Sequence, residues 1–463
     1  MCDVAGAGKS AIAHTIAQHC DNDGLLASCF LFDRNIPDRR SPQKLFSTIA
    51  RDLVRLDNNL ADHVSQILED DRSLASACQS RQFEKLMLEP ACQHRVRRPA
   101  VIVIDGLDEG YDLETLEILR EKVSKLPGTF RFLITSRPLD DIVKDLSDAI
   151  HVHRRSIDIR GVINRADIAV YIRHRLQYVS CRRGLAEDWP GEQRTKDFTD
   201  KAEGLFIWVY VVSEYLRTVA RPDKKLSTLL YERNLSGFPA EEKMDALYAE
   251  ILASIDWSDE DSVQDYQLLA GTIIAAKTPL SLSTLQSLHR ANLGLDIAGA
   301  LRPLSSLLTG LFDNNQPIQI LHLSFRDFLT YRAQSSSVHK RFHVSEKEHS
   351  HRLAILCLHV LNEDLTSETP GAGYLTRSTP DTEGIPFVNK SDISEVLWYS
   401  CRFWTEHIIE VEDPAPGIIL DSLRMFFANR LTVWVEVLNT QYPFQSLSKV
   451  RTWFLVSVPI QSL

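Results

Sequence analysis

Ala100-Val101-Ile102-Val103-Ile104 runs without a break into Asp105-Gly106-Leu107-Asp108-Glu109. An apolar, mostly β-branched run of this kind is what a strand buried on both faces requires. It delivers carboxylates at its C-terminal end. A similar run recurs at Phe130–Thr135, and shorter β-rich runs lie at Leu25–Phe32 and Ala149–Ile159. Helical patterns separate them. Ser41-Pro42 opens one, with an N-cap and a proline at the first helical position ahead of Leu45, Ile49 and Leu53. Strands alternating with helices predict a parallel α/β sheet within residues 1–160.

Near the amino end stands Ala5-Gly6-Ala7-Gly8-Lys9-Ser10, followed at once by the helical pattern AIAHTIA. Glycines let backbone N–H groups of Gly6, Ala7 and Gly8 curl toward phosphate oxygens, and the helix N-terminus adds its positive end. Lys9 would reach the terminal phosphates of ATP or ADP, and the Ser10 hydroxyl would hold Mg²⁺. Asp105 would be the carboxylate for hydrated Mg²⁺. Asp108 and Glu109 would orient or deprotonate an attacking water. Arg137, in Phe132–Pro138, would present a cation to the outermost phosphate. Each piece has a plain alternative: a glycine turn, an acidic turn, a surface arginine. Their order along the chain is what argues for one site.

VIVIDGLDE resembles the Walker B segment of NACHT-domain ATPases, in the signal-transduction class of P-loop NTPases that includes NOD-like receptors. FLITSRP is similar to their sensor strand. ADIAVYI (166–172), KAEGLFIWVYVV (201–212), MDALYAEIL (244–252) and LHLSFRDFLT (321–330) follow in the order seen in NACHT proteins of filamentous fungi, with a nephrocystin-like NACHT region. LAILCLHVL (353–361) and LWYSCRFWTEHI (397–408) also resemble segments of those proteins. The resemblance makes Lys9 and Ser10 the Walker A lysine and magnesium ligand, Asp105 the Walker B aspartate and Arg137 the sensor arginine. His322 matches a winged-helix histidine that contacts the diphosphate of a resting receptor; a core histidine at a strand end is the other reading. Phe206 stands where some relatives carry an adenine-contacting proline.

The predicted organisation is an α/β P-loop domain lacking its first strand (1–160), an all-helical domain (161–255), a winged-helix-like domain (256–335) and a helical C-terminal region (336–463) with a loop at 363–391. Gly204 interrupts the helical run from Phe198 to Leu216. Asp313-Asn314-Asn315 reads as a hairpin turn between two apolar runs. His343, His349, His351 and His359 have a spacing that suits a helix surface better than a metal site.

Two departures stand out. The position of the first glycine of the phosphate loop is Asp3, whose carboxylate is expected to crowd the turn and repel phosphate. The strand expected before the loop has no sequence to form it, which would leave unpaired backbone groups and a gap in the core. The chain reads as cut into or mis-started at its amino end, or as a degenerate relative.

With 52 Lys and Arg against 62 Asp and Glu, the net charge of −10 gives no sequence-wide attraction to nucleic acid or anionic lipid. No apolar run reaches membrane-spanning length. The eight scattered cysteines read as reduced, buried thiols, which fits the cytoplasm. The expected function is an ATP/ADP-dependent switch with slow hydrolysis that self-associates on activation. Its effector or sensor partners are unknown. The rival is an interaction scaffold that binds no nucleotide.

Overall fold

The apolar runs form β1 (Leu26–Leu31), β2 (Ala100–Asp105) and β3 (Phe130–Ile134), hydrogen-bonded in the order β1-β2-β3 and all parallel. This is a computed structural model. It describes residues 1–55, 57–94, 98–147, 149–232, 237–292, 294–313, 316–374, 388–411, 417–439 and 446–457. The chain divides into two units, Met1–Met244 and Asp245–Leu463.

The alternation along β2 explains why the sheet is covered on both sides. Ile102 and Ile104 face a large core with Phe30, Phe46, Ile49 and Leu116. Val101 and Val103 face α1 (Lys9–Asn22), where Ala13 and Ala17 bring the helix close to the sheet. Full burial of an Ile or Phe stabilises by about 1.5–3 kcal/mol, so most of the sheet's support comes from the first face. The α1 face is thin. Ile12 remains 38% exposed although it lies on the helix beside that layer.

The fourth expected strand, Ala149–Ile159, does not form. Its described residues after His151 follow an irregular path with no ladder of their own. The physical reason is a shortage of partners. Cys2 N–H donates to Arg155 C=O at 2.9 Å, and the Asp3 carboxylate accepts from Ile157 N–H at 2.7 Å, but among the described residues no strand lies beside the rest.

The remainder of the first unit is helical, with α2 (Val162–Arg183), α3 (Glu192–Ala202) and α4 (Phe206–Thr218). The chain breaks between α3 and α4 at Glu203-Gly204-Leu205, as the glycine anticipates. Both α3 and α4 pack on α2.

In the second unit, α5 (Glu260–Ala275) packs on α6 (Glu346–Asp364), as do α7 (Glu395–Ile408) and α8 (Gly417–Asn429). Ser345 and Ser394 cap α6 and α7 by accepting from Glu348 and Leu397 N–H. The helical spacing of Leu353, Leu356, Cys357, Val360 and Leu361 predicts one buried face on α6; all of them are buried except Leu356, which is half-buried. Short antiparallel strands β4 (Leu308–Thr309) and β5 (Gln319–Ile320) pair Leu308 with Ile320. The expected turn residues Asn314 and Asn315 lie outside the described residues, as do 375–387 of the expected loop.

Two readings are corrected. His349 is not on the helix surface: it is 5% exposed, with its ring against Gly271 of α5. Only Cys357 and Cys401 are buried; Cys78, Cys92 and Cys181 are exposed, and all eight thiols are free. Among the described residues no helix is long and apolar enough to cross a membrane.

Candidate functional site

The loop before α1 turns through left-handed backbone at Gly6 (φ 78°) and Gly8 (φ 91°), conformations that cost a side chain dearly and glycine little. Gly8 is the N-cap of α1, and no side chain caps the first turn. Its N–H groups therefore stay available to an anion. Lys9 Nζ donates back to Asp3 C=O at 2.7 Å and Val4 C=O at 2.8 Å, so the loop is curled around its own ammonium. Ser10 is exposed at the same helix end.

Asp3 does not crowd the turn. Its carboxylate accepts from Val4 N–H and from Ile157 N–H, both at 2.7 Å, and so ties the loop to the segment after β3. Burial lowers the Lys9 pKa, Asp108 and Asp3 oppose that shift, and Arg137 adds to it. Lysine, both carboxylates and the arginine thus share one electrostatic neighbourhood.

Asp105, at the end of β2, is 7% exposed. Its Oδ1 accepts from the Thr135 hydroxyl, whose oxygen accepts in turn from Gly106 N–H at 2.9 Å. Thr135 therefore fixes both the carboxylate and the turn beyond it. No motif gives Thr135 a role; a hydroxyl at the end of an apolar strand is the signal that the sequence offers for it.

Asp108 is 5% exposed and is held by Arg137, whose N–H and Nε donate to Oδ1 and Oδ2 at 2.9 and 2.7 Å. Glu109 is different. Burial, then the charge of Asp108, raises its pKa from 4.5 to about 7. Arg34, just after β1, was missed from sequence. Its N–H donates to Glu109 at 3.4 Å, and its Nη2 donates to Asp108 C=O at 3.1 Å. No motif marks it, because β1 ends beside β2 only after folding.

The start of α4 covers the loop. Ile207 N–H reaches Gly6 C=O at 3.5 Å, and a Cβ on Gly6 would overlap the Ile207 side chain. Phe206 lies beside Gly8, with its ring 5.6 Å from that of Tyr171. The structure thus brings together Gly6, Ala7, Gly8, Lys9, Asp105, Asp108, Glu109 and Arg137 at the C-terminal edge of the sheet. His322 lies in the second unit, where it N-caps a short helix by accepting from Ser324 N–H.

Residues 4–137 match the family model described as Nephrocystin 3, N-terminal. This nephrocystin 3-like segment opens at the loop and closes on Arg137, so it contains Lys9, Asp105, Asp108, Glu109 and Thr135. Asp3, Ile157 and the covering residues Phe206 and Ile207 lie outside it. Comparison with curated proteins gives no match.

Proposed function

We propose that the first unit binds a nucleoside tri- or diphosphate with Mg²⁺ and that the chain is an ATP/ADP-dependent switch of the NACHT type. The observation that carries this reading is the uncapped N-terminus of α1, behind Gly6 and Gly8, with Lys9 and a buried Asp105 in the same unit. The donor set fits the ligand. Free first-turn N–H groups and an ammonium suit polyphosphate, and the exposed Ser10 hydroxyl and Asp105 suit a hard cation. Bound magnesium would neutralise phosphate charge. Lys9 would exchange the carbonyls of Asp3 and Val4 for phosphate oxygens. Thr135 would keep Asp105 aimed. Glu109, with a pKa of about 7, is better poised than the arginine-bound Asp108 to take a proton from water. Arg137 would pass from Asp108 to the outermost phosphate, so that hydrolysis returns it to the carboxylate.

In the wider switch, residues 256–335 act as a winged-helix unit. Exchange for ATP releases surfaces for self-association in the cytoplasm. Substituting Lys9→Ala should abolish ADP retention and Mg-ATP uptake in calorimetry. Retention equal to that of the unsubstituted chain would overturn the assignment.

One observation favours a second reading, a scaffold that binds no nucleotide. Lys9 and Arg137 are both satisfied by protein oxygens, so neither needs a ligand. ADP released on acid denaturation of the purified chain would eliminate this scaffold.

A further inference from the structure

Among the described residues every position of positive φ is a glycine except one, Glu203, at φ 48° in the joint between α3 and α4. A side chain is disfavoured there, so its surroundings must hold the conformation, and residues held in this way cluster at clamps and switch regions. Gly204 follows at φ 86°, where a Cβ would overlap Ile159 C=O. Asn164 Nδ2 donates to that carbonyl at 2.7 Å and to Gly204 C=O at 3.3 Å, which fixes the second half of the joint.

Charge fixes the first half. The Glu203 carboxylate accepts from Gly237 N–H at 3.1 Å, with Lys243 Nζ 3.7 Å and Arg160 Nη2 3.6 Å away. Lys243, in the helix Ala240–Leu252, is the buried member, its side chain only 1% exposed. The same ammonium donates to Lys201 C=O in the last turn of α3 and lies 5.4 Å from the centroid of the Trp208 ring in the first turn of α4. One cation therefore joins the end of one helix, the joint and the start of the next. Burial pushes the Lys243 pKa down to about 8; the Glu203 charge opposes that shift, and Lys201 and Arg160 add to it. Removing the carboxylate would leave the ammonium desolvated without its counter-charge.

The start of α4 also bears on the phosphate loop. Ile207 N–H reaches Gly6 C=O at 3.5 Å, the Ile207 side chain leaves no room for a Cβ on Gly6, and Phe206 lies beside Gly8. Trp208 is the next residue, so the ring that faces Lys243 and the residues that press on the loop share one helical turn. We infer that Glu203 and Lys243 form a pin that holds the start of α4 against the phosphate loop and thereby sets how fast the loop releases a nucleoside diphosphate. Both are positioning residues, acting through Phe206 and Ile207. The diphosphate rests on the nucleotide reading above; the pin does not. With the pin closed, Ile207 stays on Gly6 and a nucleotide behind it leaves slowly. With it open, Glu203 relaxes from its left-handed conformation and the first turn of α4 withdraws.

The test uses the full chain with Lys243→Met, which keeps an apolar stem beside Trp208, and with Glu203→Gly, which suits the left-handed backbone while deleting the carboxylate. Amide hydrogen exchange is read without nucleotide. Both variants should speed exchange in the segment containing Ile207 and Val209 by about tenfold and leave β2 unchanged. Glu203→Gly is the sharper of the two, because glycine in place of a merely structural glutamate at positive φ would leave that segment as slow or slower. Dissociation of a fluorescent ADP analogue should quicken by a similar factor. Unchanged exchange at Ile207 in both variants overturns the pin, and so does equal acceleration in β2, which would mean general destabilisation. Faster exchange with unaltered dissociation of the analogue overturns the link from pin to nucleotide. A chain that takes up no analogue sinks the nucleotide reading instead, and exchange at Ile207 still decides the pin.

Discussion

Arg137 holds both carboxylate oxygens of Asp108, through its backbone N–H at 2.9 Å and its Nε at 2.7 Å, with side-chain exposures of 17% and 5%. A pair this buried is coupled: removing one partner leaves the other charged and desolvated. Asp108→Ala should therefore destabilise the first unit by about 3 kcal/mol. The double variant Asp108→Ala/Arg137→Ala should cost clearly less than the sum of the singles. Urea unfolding of all four proteins measures the coupling. Simple additivity would mean that the pair is not the anchor of this corner of the sheet.

Glu109 supplies a prediction in pH. Its pKa rises from 4.5 to about 7 through burial and the neighbouring Asp108. Between these values the folded chain keeps a proton that the unfolded chain has released, so stability falls as pH rises across the window. Below 4.5 the carboxyl is protonated in both states and the cost vanishes. Glu109→Gln should thus stabilise the chain at pH 8, by on the order of 2 kcal/mol, and leave it unchanged near pH 4. Thermal melts at the two pH values decide it. A hydrolysis rate that rises through neutrality in the unsubstituted chain and is lost in the variant would assign Glu109 as the base.

How much of this was legible beforehand depended on range. β2 and β3 could be read because a strand buried on both faces announces itself in consecutive apolar residues. The break at Gly204 and the stripe on α6 are equally local. Ala149–Ile159 misled because β-rich composition does not supply a neighbour to pair with. The crowding expected of Asp3 could not be judged from the sequence either, because the Ile157 N–H that draws its carboxylate aside lies far along the chain. Arg34 and Ile207 reach the site across the fold, so no spacing rule could have grouped them, whereas Thr135 stands two residues before Arg137 at the end of an apolar strand. His349 carried no sequence mark of burial, since Gly271, which makes room for its ring, lies on another helix.

Gly6 and Ile207 should prove interdependent. Gly6→Ala meets two penalties, a left-handed backbone and overlap with the Ile207 side chain. The first costs about 1 kcal/mol and the second about 1–3 kcal/mol. Adding Ile207→Ala should remove the second and leave the first. Denaturant midpoints of Gly6→Ala with and without Ile207→Ala measure the recovery. No recovery would show that α4 does not press on the loop.

His289 and His349 should govern acid sensitivity in the second unit. Burial pushes both pKa values down from 6.5 to about 4, and Arg352 adds to the shift. The His289 ring meets the Thr272 hydroxyl at 3.1 Å, while the His349 ring lies on Gly271, so both are packed against α5. Between about 4 and 6.5 the unfolded chain binds protons that the folded chain refuses, so stability falls as pH drops through that window. His349→Gln should flatten this fall, though the lost packing lowers stability at neutral pH. Gly271→Ala should instead destabilise at every pH, because the added methyl collides with the ring whatever its charge. Melting curves from pH 4 to 8 separate the two: a change in slope belongs to the histidine and a uniform offset to the glycine.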